Sequence, residues 1–462
     1  MSAPAPLPEI DAPADDASGR SELARLVSLA WPITLAQLGM MSLHLVDTAI
    51  VGRSSVEDLA GVALGRSIAF LTVSAGMGIP FALETLATQA VGAGEPEVAW
   101  AALRGALRAS LVAIVPLSVV AVAITLALPR FGVEAAIADR ALSFVIGNAP
   151  GSYGFLLFLA AKTFLQAHGR TSPALVAAGI ANVVNLIVCS LLVRGDDALR
   201  SVGLSGMGLP RLGAFGAGLA ASIASLLLGA LTFYAAWQTR PRDASTAPPL
   251  AMTRVARIGL PIGLQLLAEV GVFSVVALVA GRLGARVVSA HQVAIGLAST
   301  TFMVALGVAG ATAVRVGIAV GAGRSPRRVG FLGVGLGVGT MSLGAAMFLT
   351  VPEPLARLFT TDPDVIATSV RLLRIAALFQ LFDATQGVIA GALRGAGDVR
   401  FPFAVMLVGY WAVGFPLALV LGFHLGWGAA GLWWGLAAGL AFVAAALLAR
   451  FTYIAARPIA RA

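Results

Sequence analysis

From residue 23 to residue 449 the chain alternates long apolar runs with short polar breaks. The runs cover 23–51, 59–90, 98–128, 141–165, 173–193, 214–237, 255–280, 287–320, 329–351, 365–393, 401–423 and 429–449. Each reaches roughly the twenty residues that a helix needs to cross a hydrocarbon core. Strands of a membrane barrel would instead alternate apolar and polar residues over about ten positions, and no such alternation is present. The pattern therefore predicts an all-α integral membrane protein of about twelve transmembrane helices. Several runs exceed the minimum, which predicts tilt or projection beyond the bilayer. Glycines within the runs allow helices to approach closely.

Composition agrees with this reading and narrows it. The chain is 58% hydrophobic and 11% charged, with a mean hydropathy of +0.92, outside the range of soluble domains. A net charge of +9 could signal nucleic acid. The arginines, however, are spread among short connections rather than gathered on one patch, so they orient the chain and nucleic acid is excluded as a partner. The lipid bilayer is the expected surrounding. A single cysteine, Cys189, rules out an internal disulfide or a cysteine metal site.

Arg240, Arg242, Arg254 and Arg257, then Arg324, Arg327 and Arg328, then Arg394 and Arg400, fall in links on the side of the N-terminus. Opposite links mix charges, as in Glu353, Arg357, Asp362 and Asp364, although Arg194, Arg200 and Arg211 also lie there. An even number of spans with positive links inside predicts cytoplasmic termini in a cell inner membrane. Residues 1–22, rich in Pro, Ala and acidic groups, read as a disordered cytoplasmic tail and not as a signal peptide.

The chain also repeats itself. With residue 31 laid on residue 260, WPITLAQLG faces LPIGLQLLA and Val51-Gly52-Arg53 faces Ala280-Gly281-Arg282, without a gap. At the same offset AVGAG at 90–94 falls on AVGAG at 319–323. FLQAHGRTSP at 164–173 answers ALRGAGDVRFP at 392–402 with about one residue of slippage. Each copy spans six helices, so the halves are parallel repeats about an axis along the membrane normal. The expected organisation is an N-terminal six-helix lobe at 23–238, a cytoplasmic link at 239–254 centred on PRDASTAPP, a C-terminal lobe at 255–450 and a tail at 451–462.

Three carboxylates interrupt the apolar runs: Asp47 in helix 1, Glu269 in helix 7 and Asp383 in helix 10. A charge at the middle of a spanning helix costs about 2.5–3.5 kcal/mol even on lenient insertion scales, so such groups usually line a polar path. Glu269 aligns with Met40 and Asp47 with Val276, seven residues apart. That places the two carboxylates about 10 Å apart in depth, so they are not copies of one site. Gln265 shares a face with Glu269. Gln380 and Gln386 flank Asp383, His44 flanks Asp47, and Asn182 accompanies Asn185 on helix 5. Oxygen and nitrogen ligands of this kind suit a small hard cation or a proton relay, with Na⁺ at Glu269 and Asp383 as one candidate. The plainer alternative is that each carboxylate bonds a polar neighbour to fix helix packing, and for the amides interhelical glue is an equal reading.

Other features carry less. Glu84, Gln89 and Arg315 read either as an inner gate or as groups solvated at the membrane interface. The GAGR and RGAGD clusters lack the P-loop lysine and read as turns after helices. Pro32 and Pro261, at matching repeat positions, can bend helices 1 and 7.

VDTAIVGR in helix 1, LETLATQAVGAG in helix 2, FLQAHGRTSP after helix 4, SAHQVA in helix 8 and GALRGAGDVRFP after helix 10 together resemble the multidrug and toxic compound extrusion (MATE) transporters. The resemblance runs from residue 23 to 450. The glutamate of helix 7, the AHQVA motif with Gln292 and the aspartate in FQLFDATQG resemble the NorM-like branch. The resemblance implies an antiporter, not an enzyme and without a cofactor, that exports small organic cations in exchange for Na⁺ or H⁺; a monomer is the expected state. It implies Asp47, Asn185, Glu269 and Asp383 as family site residues, while Cys189 departs from the Asn or Asp common one turn after Asn185. A lipid-linked oligosaccharide or polysaccharide flippase of similar architecture is the alternative, but it would need a basic cavity where these charges are acidic.

Overall fold

The computed structural model describes residues 19–201, 203, 205–241 and 249–462. The tail before residue 19 and the centre of the expected inter-lobe link, at 242–248, lie outside the described residues, as does the side chain of His44. Among the described residues, twelve helices are long and apolar enough to cross a membrane. They are α1 (Gly19–Gly52), α2 (Val56–Gly92), α3 (Pro96–Phe131), α4 (Ala135–Ala167), α5 (Ser172–Arg194), α6 (Gly213–Gln238), α7 (Met252–Leu283), α8 (Ala285–Gly321), α9 (Arg327–Thr350), α10 (Pro363–Ala396), α11 (Arg400–His424) and α12 (Gly428–Ala455). All twelve expected runs are present, and the chain is a multi-pass membrane protein.

The outward faces explain the apolar composition. On α3, Leu111, Val112, Val115 and Val119 are all exposed, which is costly in water and favourable against lipid tails. Two short helices, Asp196–Arg200 and Pro352–Arg357, lie in connections. α2 breaks at Ala82, two residues after Pro80, which has no N–H to continue the ladder.

Two compact units emerge from the contacts. The first holds residues 38–83 and 96–263; the second holds the start of α1 up to Gln37, residues 84–95 and 264–462. Within the first, α4 packs along α6 and α2 along α4; within the second, α10 packs along α12 and α8 along α10. These are the same partnerships six helices apart.

Glycines show the repeat at atomic scale. A Cβ on Gly92 would run into the backbone of Ile318, and a Cβ on Gly321 would run into the backbone of Gln89. The two AVGAG copies therefore pack directly on each other. Each copy ends on a glycine in the left-handed region, Gly94 at φ 75° and Gly323 at φ 70°, where other residues pay for their Cβ.

Two element ends differ from the sequence reading. Residues 19–22, expected in the tail, form the first turn of α1, because the Glu22 carboxylate is drawn into a buried ion pair with Arg315. At the other end α12 continues to Ala455, and Arg461 beyond it pairs with Glu95.

Candidate functional site

In the first unit Asp47 is 1% exposed, and both of its oxygens are occupied. Asn185 on α5 donates from Nδ2 to Asp47 Oδ1 at 2.6 Å. Arg66 on α2 donates from Nη2 to Asp47 Oδ2 at 3.2 Å and from Nη1 to Thr48 Oγ1 at 3.3 Å. A carboxylate only accepts hydrogen bonds, so the Asn185 amide must turn its NH₂ toward Asp47, and its own Oδ1 is buried without a partner. The buried Cys189 thiol lies alongside. Asp47 and Arg66 border a cavity of about 110 Å³ that Phe70, Phe144, Phe155 and Asn148 also line. Asn182 is used elsewhere. Its Nδ2 donates to Gly39 O at 2.9 Å and its Oδ1 accepts from Ser42, which ties α5 to α1.

The second unit treats its carboxylates differently. Glu269 on α7, Asp383 on α10 and Tyr410 on α11 lie close enough to feel one another's charge. Asp383 is 8% exposed, and among the described residues neither carboxylate forms an ion pair. The Tyr410 hydroxyl interacts with Glu269, while Gln265 Oε1 and Gln386 Oε1, on the helices that carry the acids, have no hydrogen-bond partner among the described residues; the Gln380 amide instead lies against Gly344 of α9. Buried polar atoms are nearly always satisfied, so unmet oxygens on the helices that carry the two acids are of the kind that water or an ion can satisfy. Rings flank it: Phe273 meets Phe379 at 6.1 Å and Tyr410 at 6.2 Å, and Phe379 meets Trp433 at 5.8 Å.

α11 presents Tyr410 through an irregular backbone. Val408–Gly414 is wound as π-helix, a form that often accompanies functional positions. Pro416 supplies the cause, because it has no N–H for the carbonyl four residues earlier. Trp411 Nε1 donates to Ala268 O at 3.0 Å, pinning α11 to α7 next to Glu269.

The remaining sequence candidates are dispersed. Gln292 sits on an exposed face of α8 and is not drawn into the acidic cluster. The buried polar member of its motif is His291, whose Nδ1 accepts from Trp433 Nε1 at 3.1 Å. Glu84 and Arg315 are not solvated at an interface. Glu84 pairs with Arg394 at 2.9 Å and Arg315 with Glu22 at 2.8 Å, all of them largely buried. Gln89 donates to Gly395 O at 2.9 Å.

Arg66 and Tyr410 were not among the sequence candidates. For Tyr410 a signal existed: α11 is the repeat counterpart of α5, which brings Asn185 to Asp47, so a polar side chain on α11 facing α7 was to be sought. Arg66 stands opposite Ile295 in the repeat and had no such pointer.

Twelve spanning helices in two repeated lobes, with acids buried among them, define a membrane transporter. The MatE family model matches residues 32–191 and again 261–420, so the two matches start 229 residues apart, the offset of the internal repeat. A protein named "Probable multidrug resistance protein NorM" from Pseudomonas putida is 35% identical, covering 96% of both chains. Its namesake from Deinococcus radiodurans is also 35% identical, over 96% of this chain and 97% of that one. The fold matches the eukaryotic MATE transporter AtDTX14 with a TM-score of 0.83 at 22% identity, over 94% of this chain and 96% of that one. It matches the Vibrio cholerae MATE transporter VcmN in the bent form with a TM-score of 0.79 at 19% identity, over 95% of this chain and 98% of that one. The chain belongs to the MATE family, whose members are transporters rather than enzymes.

Proposed function

We propose that the chain is a multidrug efflux antiporter of the inner membrane that exports organic, mostly cationic, compounds in exchange for Na⁺ or H⁺. The observation that carries this reading is the acid pair, Glu269 and Asp383, which forms no ion pair among the described residues and has unmet amide oxygens on the same helices. Two carboxylates facing each other in a medium of low dielectric repel, so the site gains by taking up a cation or a proton. A cationic drug seeks the same charge, and the flanking rings suit its apolar body. Mutual exclusion then makes uptake of one the condition for release of the other. Inward movement of one positive charge supplies about 2.3 kcal/mol per 100 mV. The NorM names of the relatives favour drugs as the cargo.

A flippase for lipid-linked oligosaccharides would need net positive charge for pyrophosphate. Arg66 does border a cavity, but Asp47 matches its charge. The arginine-rich links favour cytoplasmic termini. Labelling at Asp196, expected from the periplasm only, tests that; Ser245, the matching inner position, lies outside the described residues.

The functional test is transport in proteoliposomes with Na⁺ and pH gradients imposed separately. Ethidium efflux driven by one of them, lost in Glu269→Gln and in Asp383→Asn, is the expected result. Efflux that ignores both gradients, or preference for an anionic lipid pyrophosphate, defeats the reading.

A further inference from the structure

Asp47 is a buried intramembrane acid of the kind that ordinarily attracts a coupling ion, yet its surroundings are arranged against one. A hard cation needs several oxygen ligands. Here Asp47 Oδ1 faces the NH₂ of Asn185 at 2.6 Å and Oδ2 faces the Arg66 guanidinium at 3.2 Å. Both neighbours present N–H groups, which repel a cation. The remaining neighbour, Cys189, offers a thiol and no oxygen.

Arg66 is itself held. Its second terminal nitrogen reaches Thr48 Oγ1, the residue after Asp47, and its guanidinium carbon lies 5.9 Å from the centre of the Phe144 ring. α1 presents the acid, α2 the base, α4 the ring and α5 the amide. The Arg66 side chain is 20% exposed while Asp47 is 1% exposed, so of the two groups that border the cavity the arginine is the more open to it.

We propose that Arg66 is a tethered counter-cation that occupies the coupling-ion position of Asp47, so that the first lobe binds neither Na⁺ nor H⁺ and the second lobe alone sets the exchange ratio. The guanidinium cannot dissociate or lose its proton at any ordinary pH, so an ion in that position takes no part in exchange. This makes Arg66 a specificity-determining residue for the coupling step. The inference rests on the second-lobe reading above but fails separately from it.

The test counts cations. Na⁺ binding, with radioactive sodium, and proton uptake, by unbuffered titration, are measured on the purified full chain. Replacing both members of the pair, Asp47→Asn with Arg66→Met, leaves no unmatched charge and is expected to bind as many cations as the parent. Arg66→Met alone is expected to gain one cation per protein, which adding Asp47→Asn removes. Loss of one cation in the double variant overturns the proposal. If neither Arg66 variant folds, Glu269→Gln with Asp383→Asn decides. No cation binding in that variant supports the proposal. Residual binding that vanishes on adding Asp47→Asn overturns it. Residual binding that persists with Asp47→Asn supports the proposal and removes the second-lobe reading instead.

Discussion

The two lobes hold their acids in opposite ways. Asp47 has every oxygen matched, by Asn185 and Arg66, whereas Glu269 and Asp383 lie near each other and a phenol without an ion pair among the described residues; Arg394, whose charge reaches Glu269, is bonded to Glu84. Geometry is shared: a carboxylate on the first helix of each lobe meets a polar side chain on the fifth, Asn185 in one and Tyr410 in the other. What differs is that Asp47 is bonded to an arginine, whereas Glu269 has a second acid beside it. On the proposal above, burial of an acid does not by itself mark a coupling site; a fixed partner of opposite charge turns such a position into structure.

The largest effect expected from breaking this contrast is on transport. Glu269→Gln or Asp383→Asn should abolish gradient-driven ethidium efflux while the protein remains folded and inserted, as read by efflux assay and size-exclusion profile. Normal efflux by both variants would dissolve the contrast. Next comes ligand competition: raising Na⁺ or lowering pH should weaken ethidium binding in fluorescence polarisation several-fold, and the response should flatten when both second-lobe acids are replaced. The parent's indifference to both ions would count against a shared site.

Stability should separate the lobes in opposite directions. Removing one partner of a buried ion pair costs about 3–5 kcal/mol, toward the lower end here because Arg66 is partly open to its cavity. Asp47→Asn should therefore lower the melting temperature in detergent, while Asp383→Asn, which removes an unmatched charge, should leave it unchanged or raise it. Equal losses in both would place the two acids in one class. The smallest effect belongs to a connection remote from either site. Asp196 accepts backbone N–H bonds from Leu209, Met207 and Gly208, which hold its carboxyl below the usual range. A depressed carboxyl stabilises above the ordinary value of about 3.9 and loses this as pH falls through its own lower value. Asp196→Asn should thus speed proteolysis of that loop slightly at pH 7, with the difference from the parent closing in acid.

Most of the fold was legible because membrane spans announce themselves by length and hydropathy, and the repeat offset is carried by gap-free motifs. The acids were legible for the same reason: Asp47, Glu269 and Asp383 are conspicuous within apolar runs. Their partners were not. Arg66 lies near the start of a long run where an arginine passes for an interfacial anchor, and its counterpart Ile295 gives no hint. Tyr410 is amphipathic and blends into an apolar helix. Gln292 was drawn from a motif whose buried polar residue is its neighbour His291. Glu84 and Arg394 are 310 residues apart, and only the folded chain brings them together.

The crossing of the two AVGAG segments bears on how such a contrast can exist. Gly92 meets Ile318 and Gly321 meets Gln89; adding the repeat offset to one contact generates the other. That reciprocity is the signature of an isologous interface, the kind formed by two identical subunits around a two-fold axis. Such a dimer would have to carry the same side chain at both copies of every position, so an arginine that silenced one acid would silence its twin. Joining the copies in one polypeptide lifts that constraint. One half is free to commit its buried acid to structure while the other keeps an unmatched pair.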